Sequence, residues 1–279
     1  MQFISLNELL LQRIDDLDDF TRKMLHMGSV LGHTFTLAEM IKVSQKMLSI
    51  PTRKKLEHSR RIKSSLEIAV KEGILKERPI DEVDADFQLK HYSRDHLTRS
   101  TFKSIDIDDC DDDDDDDDNR EMNYHFCHDS WRTKILSLLL DSYKRDIHMH
   151  AAKTIETEIS NLTDTDNHKK MRLFGHLKGS GNTFEAAELA LKLGNQFSNQ
   201  GLHSNTIYLY DESLDMFRKI SPETEGVESI QGFAIKDVKS LKSDELLIIL
   251  KLLKALGETF AMSDNPEDAK NVFNDALEV

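Results

Sequence analysis

Apolar residues recur every three to four positions through the first part of the chain, a spacing that predicts short amphipathic helices. Asp18 or Asp19 can cap the second of these helices, and Gly32 can end it. A capping box of Thr36 and Glu39 predicts where the next helix begins. The stripes that define the first two helices are Leu6, Leu9, Leu10, Ile14 and Leu17, then Phe20, Met24, Met27 and Leu31.

The two helices that follow are also predicted from their apolar stripes. The first starts after the capping box, and the second is opened by Pro51 and ended by Gly73. The inward residues are predicted to be Leu37, Ile41 and Met47 or Leu48 on the first helix, and Leu56, Ile62, Leu66 and Val70 on the second.

After Gly73 the apolar period changes from helical to alternating, which is typical of strands. Residues 74–78 form one candidate strand, and residues 122–128 form a second. The last three of these helices, followed by two strands, predict a winged-helix-like domain with a small β wing over residues 1–128. The polar stretch between the strands, at about residues 80–121, is predicted to be a disordered acidic insertion, because eight consecutive aspartates cannot pack.

Helical periodicity returns after residue 129, so the chain as a whole is predicted to be mostly α. Residues 129–165 are predicted to be a connecting helical module, and residues 166–279 a series of hairpins like tetratricopeptide repeats. In that pattern, small residues let paired helices approach closely and aromatic residues fill the gaps. The pattern is formed by Leu193, Gly194, Phe197, Gly201, Tyr210 and Ser213, then by Leu256, Gly257, Phe260, Ala269, Phe273 and Ala276, with a weaker unit at Gly175, Ala187 and Leu191.

The charge of the chain is concentrated in one place. The formal net charge is −14, and eleven aspartates between Asp106 and Asp118 account for most of it. The sequence contains no apolar run of transmembrane length, and its N-terminus does not resemble a signal peptide. The two cysteines, Cys110 and Cys127, form no disulfide framework. We therefore expect a reduced, cytoplasmic setting without a membrane partner.

A motif over residues 126–156 has the pattern F-x-H-x-x-x-R followed by L-L, R, H, A and E. It resembles the segment after the ATPase module of STAND-type signalling ATPases, including soluble (type 10) adenylyl cyclase-like proteins. Residues 6–48, 122–219 and 246–279 together resemble the winged helix and superhelical repeats of that region. The motif residues are Phe126, His128, Arg132, Leu139, Arg145, His148, Ala152 and Glu156.

The resemblance implies a non-catalytic regulatory and protein-interaction segment of a STAND ATPase or nucleotide-cyclase-related signalling protein. The sequence contains no nucleotide-binding motif, so ATP hydrolysis and cyclisation are not carried over to any residue. No catalytic residue, metal or cofactor is predicted for this chain. We expect the helical repeats to bind a protein partner. We also expect an ATPase domain upstream in a longer protein, and the sequence does not determine whether that protein is an ATPase or a nucleotide cyclase. The alternative is a winged-helix transcription regulator that binds DNA.

Two features resemble ligand sites but have structural explanations. The segment from Gly28 to Thr34 lacks the spacing and the lysine of a phosphate-binding loop, so we expect a helix end at Gly32. A zinc site would need four ligands from two spaced pairs, and strand alternation places His125 and His128 on opposite faces. We expect His128 and His148 to make structural hydrogen bonds in the core instead. The full set of candidate metal ligands is His125, Cys127, His128, His148 and His150.

Two charged segments carry further alternatives. The aspartate tract lacks the glycine turn and distal glutamate of a specific calcium loop, so we expect a solvated loop or a segment that binds a basic partner. The helix after Pro51 has a basic face in the position of a DNA-recognition helix. However, Glu57 interrupts that face and an acidic wing would repel phosphates, so nucleic acid is not the expected partner. The basic residues are Arg53, Lys54, Lys55, Arg60, Arg61 and Lys63.

Overall fold

The computed structural model describes residues 6–79, 122–159, 167–219 and 242–278. In these ranges the fold is mostly helical, with one small antiparallel sheet of three strands. None of the helices in the described ranges has the length and apolar character that a membrane span requires. The chain divides into two compact units, 1–139 and 140–279, and the boundary falls within the predicted connecting module.

In the first unit, α1 (Leu6–Asp15) and α2 (Asp19–Leu31) are followed by β1 (Thr34–Thr36), α3 (Leu37–Met47), a 3-10 turn (Thr52–Lys54) and α4 (Lys55–Lys71). β2 (Leu75–Pro79), β3 (Met122–Phe126) and α5 (Asp129–Ser137) complete it. β3 is the central strand and runs antiparallel to both neighbours, with His125 opposite Thr34 and Lys76. β1 was not predicted, because three residues are too few to establish a strand period. The predicted acidic insertion lies outside the described residues.

The core of the first unit is built around the buried rings of Phe35, Tyr124 and Phe126. Phe35 stacks on Tyr124 at 6.1 Å between ring centroids and is tilted against Phe126 at 6.2 Å. The Phe35 ring also lies against Gly28, where an added Cβ would come within 2.7 Å of it. Gly28 therefore belongs to a contact between α2 and β1. As expected, α2 ends at Gly32, whose φ of 152° favours glycine.

The predicted caps of α2 and α3 are both present. Asp18 accepts hydrogen bonds from the backbone amides of Phe20 and Thr21, at 2.9 and 3.1 Å. Thr36 Oγ1 accepts the backbone amide of Glu39 at 3.0 Å. These bonds satisfy amides that have no partner within the helix, which explains where each helix begins.

The inward face predicted for α3 is wrong, and the face predicted for α4 is wrong at one residue. On α3 the buried apolar residues are Met40 and Val43, while Leu48 is 43% exposed. The contact with α2 sets this face, since the Met40 methyl group lies close to Gly28. On α4, Ile62 and Leu66 are buried as predicted, but Leu56 is 65% exposed, because the buried part of that helix begins only at His58.

The second unit consists of helices that pack in consecutive pairs. α6 (Asp141–Ile159) packs on α7 (Asn167–Ser180), α8 (Thr183–Asn199) on α9 (His203–Lys219), and α10 (Ser243–Met262) on α11 (Pro266–Glu278). α10 also contacts both α8 and α9. The turn between α8 and α9 contains Gly201 and the turn between α10 and α11 contains Asp264, with φ values of 75° and 56°. Such short turns make each of these two pairs an antiparallel hairpin.

In each pair of helices, a ring lies against a glycine of the partner helix. Tyr210 of α9 covers Gly194 of α8 so closely that an added Cβ would overlap the ring. A Cβ on Gly257 of α10 would lie 2.8 Å from the Phe273 ring of α11. The number of residues between the glycine and the aromatic residue is the same in both hairpins. The glycines therefore allow the helices to pack closely, as small residues do at helix contacts.

The weaker repeat predicted around Gly175 does not pack as predicted. A Cβ on Gly175 would meet no atom within 4 Å, so this glycine makes no close helix contact. The contact is made one turn later by Gly179, whose Cβ would lie 2.5 Å from the His148 ring of α6. A histidine takes the place of the aromatic residue there, which the repeat pattern does not predict.

We predict that Gly194→Ala destabilises the second unit by about 1–3 kcal/mol, because the new methyl group would force Tyr210 out of its position. The matched control is Gly175→Ala, which has free space in mid-helix and should stabilise α7 by about 0.5–1 kcal/mol. Native-state hydrogen exchange of the amides in α7, α8 and α9 measures both effects. Equal stability of Gly194→Ala and the parent chain would contradict the packing role.

Candidate functional site

An open groove of about 350 Å³ lies between α8 and α10 in the second unit. Ligand pockets in proteins typically span about 300–1,000 Å³, so this volume is at the lower end of that range. Phe184 and Leu247 line the groove with side chains that are 37% and 52% exposed. The complete lining is Phe184, Glu188, Leu191, Lys192, Asp244, Leu247, Ile248 and Lys251.

Buried apolar residues support the groove from below. Ala187 of α8 is fully buried, and it packs in one cluster with Ile248 of α10. Tyr210 belongs to the same cluster and also covers Gly194, so it holds α8, α9 and α10 together. The remaining buried members of this cluster are Leu214, Phe217, Ile249, Leu252, Leu253 and Leu256. The floor of the groove is therefore part of the core, while its rim faces solvent.

The two helices that border the groove run in the same direction. Phe184 and Asp244, which lie in the first turns of α8 and α10, line the same groove. Further along, Tyr210 lies against Gly194 of α8, and Glu258 of α10 is close enough to raise the pKa of its hydroxyl. Burial is the larger cause, and together they raise the pKa of Tyr210 to about 12. The first turns of both helices are thus at one end of the groove.

The groove was not predicted, although the sequence contains a signal for it. Phe184 and Leu247 each precede the glycine of their hairpin, Gly194 and Gly257, by the same number of residues. They therefore occupy equivalent positions in two repeats, and both are large apolar side chains that remain exposed. An exposed apolar position that recurs in a repeat indicates a binding surface more strongly than a single exposed residue does.

The first residues of the motif over residues 126–156 lie in the first unit, where two of them make structural contacts. Phe126 is buried in the core, and Arg132 of α5 donates from Nε to the carbonyl of Ser29 in α2 at 2.9 Å. His33 Nδ1 lies 2.9 Å from the Asp129 carboxylate, which also connects α5 to the end of α2. The expectation for His128 is wrong, because it is exposed beside the first turn of α5 and not in a core.

The later motif residues lie in the second unit. Arg145 and Glu156 are exposed on α6, whereas His148 joins α6 to α7. Its Nδ1 lies 2.9 Å from Nδ1 of His176, so one imidazole N–H donates to the bare nitrogen of the other. The expected structural hydrogen bond of His148 is therefore present. Of the repeat residues, Gly194, Gly257 and Ala269 are buried, Ala276 is half-buried and Phe273 is 39% exposed.

The basic face of α4 is only partly available to a ligand. Arg53 and Arg60 are exposed, but the guanidinium of Arg61 stacks on the Phe20 ring at 3.9 Å. His58 meets the same ring edge-on at 5.8 Å between centroids. Arg61 thus contributes to the packing of α4 on α2 through a cation–π contact. The remaining basic residues of this face, Lys54, Lys55 and Lys63, are exposed.

A serine–histidine contact in the first unit also has a structural explanation. Ser44 Oγ lies 3.0 Å from His58 Nε2, and the serine is fully buried. Its hydroxyl donates to the carbonyl of Ile41 at 3.1 Å, so the imidazole N–H donates to the serine oxygen. A nucleophilic serine would need to donate its proton to the histidine, and would need access to a substrate. Ser44 meets neither requirement, so this contact is structural.

The candidate metal ligands do not form a site within the described residues. In these ranges, no three side chains of histidine, cysteine, aspartate or glutamate lie together as metal ligands would. Burial is the largest cause that lowers the pKa of His125, to about 4, and Cys127 is a free thiol. The aspartate tract lies outside the described residues.

Comparison with known proteins found no matching family model, no similar curated protein and no similar solved structure.

The contact between His148 and His176 predicts acid sensitivity. Burial lowers the pKa of His176 from 6.5 to about 3, so the folded chain keeps this residue neutral while the unfolded chain takes up a proton below pH 6.5. Its contribution to stability is therefore complete above pH 6.5. It decreases by about 1.4 kcal/mol per pH unit as the pH falls from 6.5 towards 3.

Urea unfolding of the full chain at several pH values between 4 and 7 measures this effect. His176→Leu should reduce the pH slope by about one proton relative to the parent chain. An NMR titration should show the His176 ring in its neutral form at pH 5. A ring that titrates near pH 6.5, or an unchanged slope in the variant, would contradict the buried contact.

Proposed function

We propose that the chain is a non-catalytic, regulatory protein-interaction segment, and that the groove between α8 and α10 holds a peptide from a partner protein. The observation that carries the proposal is the exposed apolar rim, formed by Phe184 and Leu247, above a floor that belongs to the core. A rigid floor with an exposed apolar rim favours peptide binding, because little ordering is needed when the peptide enters.

The arrangement of the helices supports a tetratricopeptide-like identity for the second unit. Two hairpins repeat the same glycine–ring contact, and the first helices of both hairpins lie side by side. Repeats of this kind use the surface formed by such neighbouring helices to bind their partners. The groove lies on that surface.

The first unit supports the proposal of a winged-helix-like domain. Its order is helix, strand, helix, helix, strand and strand from α2 to β3, with the third strand in the middle of the sheet. In the signalling ATPases that the sequence resembles, such a domain lies between the ATPase and the repeats. We infer that this unit transmits the state of an upstream ATPase or cyclase domain to the repeats in a longer, cytoplasmic parent protein.

DNA binding by the first unit is the alternative function. The exposed residues Arg53 and Arg60 of α4 favour it, whereas the guanidinium of Arg61 lies against the Phe20 ring, which limits its contact with phosphates. Duplex binding that weakens with salt and is lost in Arg60→Ala would favour this alternative over protein interaction.

We predict that the full chain selects peptides from a random display library, and that Leu247→Asp weakens their binding by at least about 2 kcal/mol, roughly thirtyfold. The physical reason is that a charge would replace the apolar rim. Leu247 is 52% exposed, so the variant should still fold. The matched control is Met262→Asp, an apolar residue of the same helix that is 57% exposed and does not line the groove.

Isothermal titration of one selected peptide against the three proteins measures the difference. Equal affinity for Leu247→Asp and the parent chain would contradict the proposed groove, and so would a loss in Met262→Asp of the same size.

A further inference from the structure

The basic face of the first unit comprises the turn before α4 and the first half of that helix. Residues 53–63 include six lysines and arginines and one acidic residue, Glu57. In the part of the chain that the structure describes, no carboxylate pairs with the four of these basic side chains named below. Positive charge at the start of a helix is unfavourable, because the helix dipole is positive there, so a nearby anion would stabilise α4. The four exposed residues are Arg53, Lys54, Lys55 and Arg60.

β2 returns along α4 in the direction of the basic face. The backbone N–H of Ile74 donates to the carbonyl of Ala69 at 3.0 Å, so the chain reverses at the end of α4. Three residues later, Glu77 accepts a hydrogen bond from the Tyr124 hydroxyl at 3.0 Å. Burial is the largest cause that raises the pKa of Tyr124, and the carboxylates of Glu77 and Glu67 raise it further. Glu67 therefore lies beside the middle of β2, further back along the helix than Ala69.

The aspartate tract, residues 106–118, is attached at the far end of β2. Pro79 at the end of β2 lies opposite Met122 at the start of β3, so residues 80–121 leave and re-enter the sheet at one point. Asp118 is four residues from Met122, which at about 3.3 Å per residue is at most roughly 13 Å. Arg60 is only about 10 Å along the helix axis from the part of α4 beside the sheet. The tract is therefore long enough to reach the basic face.

Charge and attachment favour this tract over a separate polyanion as the occupant of the basic face. Its eleven aspartates are opposite in sign to the six basic residues. Single exposed ion pairs are weak, but many can form together here. A covalent connection also gives the tract an effective concentration in roughly the mM range. A nucleic acid has no such advantage, and the tract would repel its phosphates.

We propose that the aspartate tract of this chain docks on the basic face of α4 through ion pairs with Arg53, Lys54, Lys55 and Arg60. The contact is independent of the groove between α8 and α10, and it holds whether or not that groove binds a peptide. The tract and a DNA duplex compete for the same basic residues, so the tract selects against nucleic acid as a partner of the first unit.

A nitroxide label on Cys110, which lies inside the tract, tests the proposal in the full chain, with Cys127→Ser leaving one thiol to label. NMR should show loss of signal from the amides of residues 53–63, with a smaller loss at Lys71 at the other end of α4. Salt at about 1 M, where the screening length is roughly 3 Å, should restore the signals. The variant R53Q/R60Q should restore them as well. The matched control K71Q/K270Q removes two exposed lysines outside the basic face and should keep the loss.

Full signals from residues 53–63 in the labelled chain, or an equal loss in R53Q/R60Q, would overturn the proposal. Carbodiimide coupling of the unlabelled parent chain gives a second measurement, because it should join Lys54 or Lys55 to an aspartate of the tract. Mass spectrometry that finds no such linked peptides would also overturn it. If added duplex DNA shifts the signals of residues 53–63 and the label has no effect on them, the basic face binds nucleic acid and the proposal fails.

Discussion

Close packing of a ring against a glycine sets the spacing of the helix pairs in the second unit, and the groove depends on it. Tyr210 is the central case, since its ring covers Gly194 and belongs to the same buried cluster as Ile248 and Leu252 of α10. Its hydroxyl also donates to the side-chain oxygen of Asn195 at 3.1 Å. The ring therefore keeps α10 beside α8, and a larger residue at Gly194 would change the width of the groove.

The proposed interaction follows from how apolar surface is distributed around this contact. The floor of the groove is already buried in the core, so it contributes stability and rigidity to the free protein. Phe184 and Leu247 remain partly in contact with water, and covering them would contribute on the order of 1 kcal/mol each to binding. The charged rim adds selectivity more than affinity, because exposed ion pairs are weak. A groove of this kind suits a regulatory contact that forms and breaks.

Much of the fold could be predicted from local sequence signals. The caps at Asp18 and Thr36 and the end of α2 at Gly32 depend on residues close in sequence, and these predictions are confirmed. Faces that depend on tertiary contacts were harder to predict. The inward side of α3 is set by Gly28 on another helix, and the role expected of Gly175 belongs to Gly179. The groove combines residues of two helices about 60 positions apart, and a helical period within one segment contains no information about such a contact.

Hydrogen exchange of the full chain, with and without a library-selected peptide, tests the central claim most directly, namely that the groove between α8 and α10 is the binding surface. We predict that the peptide slows exchange in residues 184–192 of α8 and 244–251 of α10, with little change in α4. Protection confined to α4, or to the outer helix α11, would contradict it.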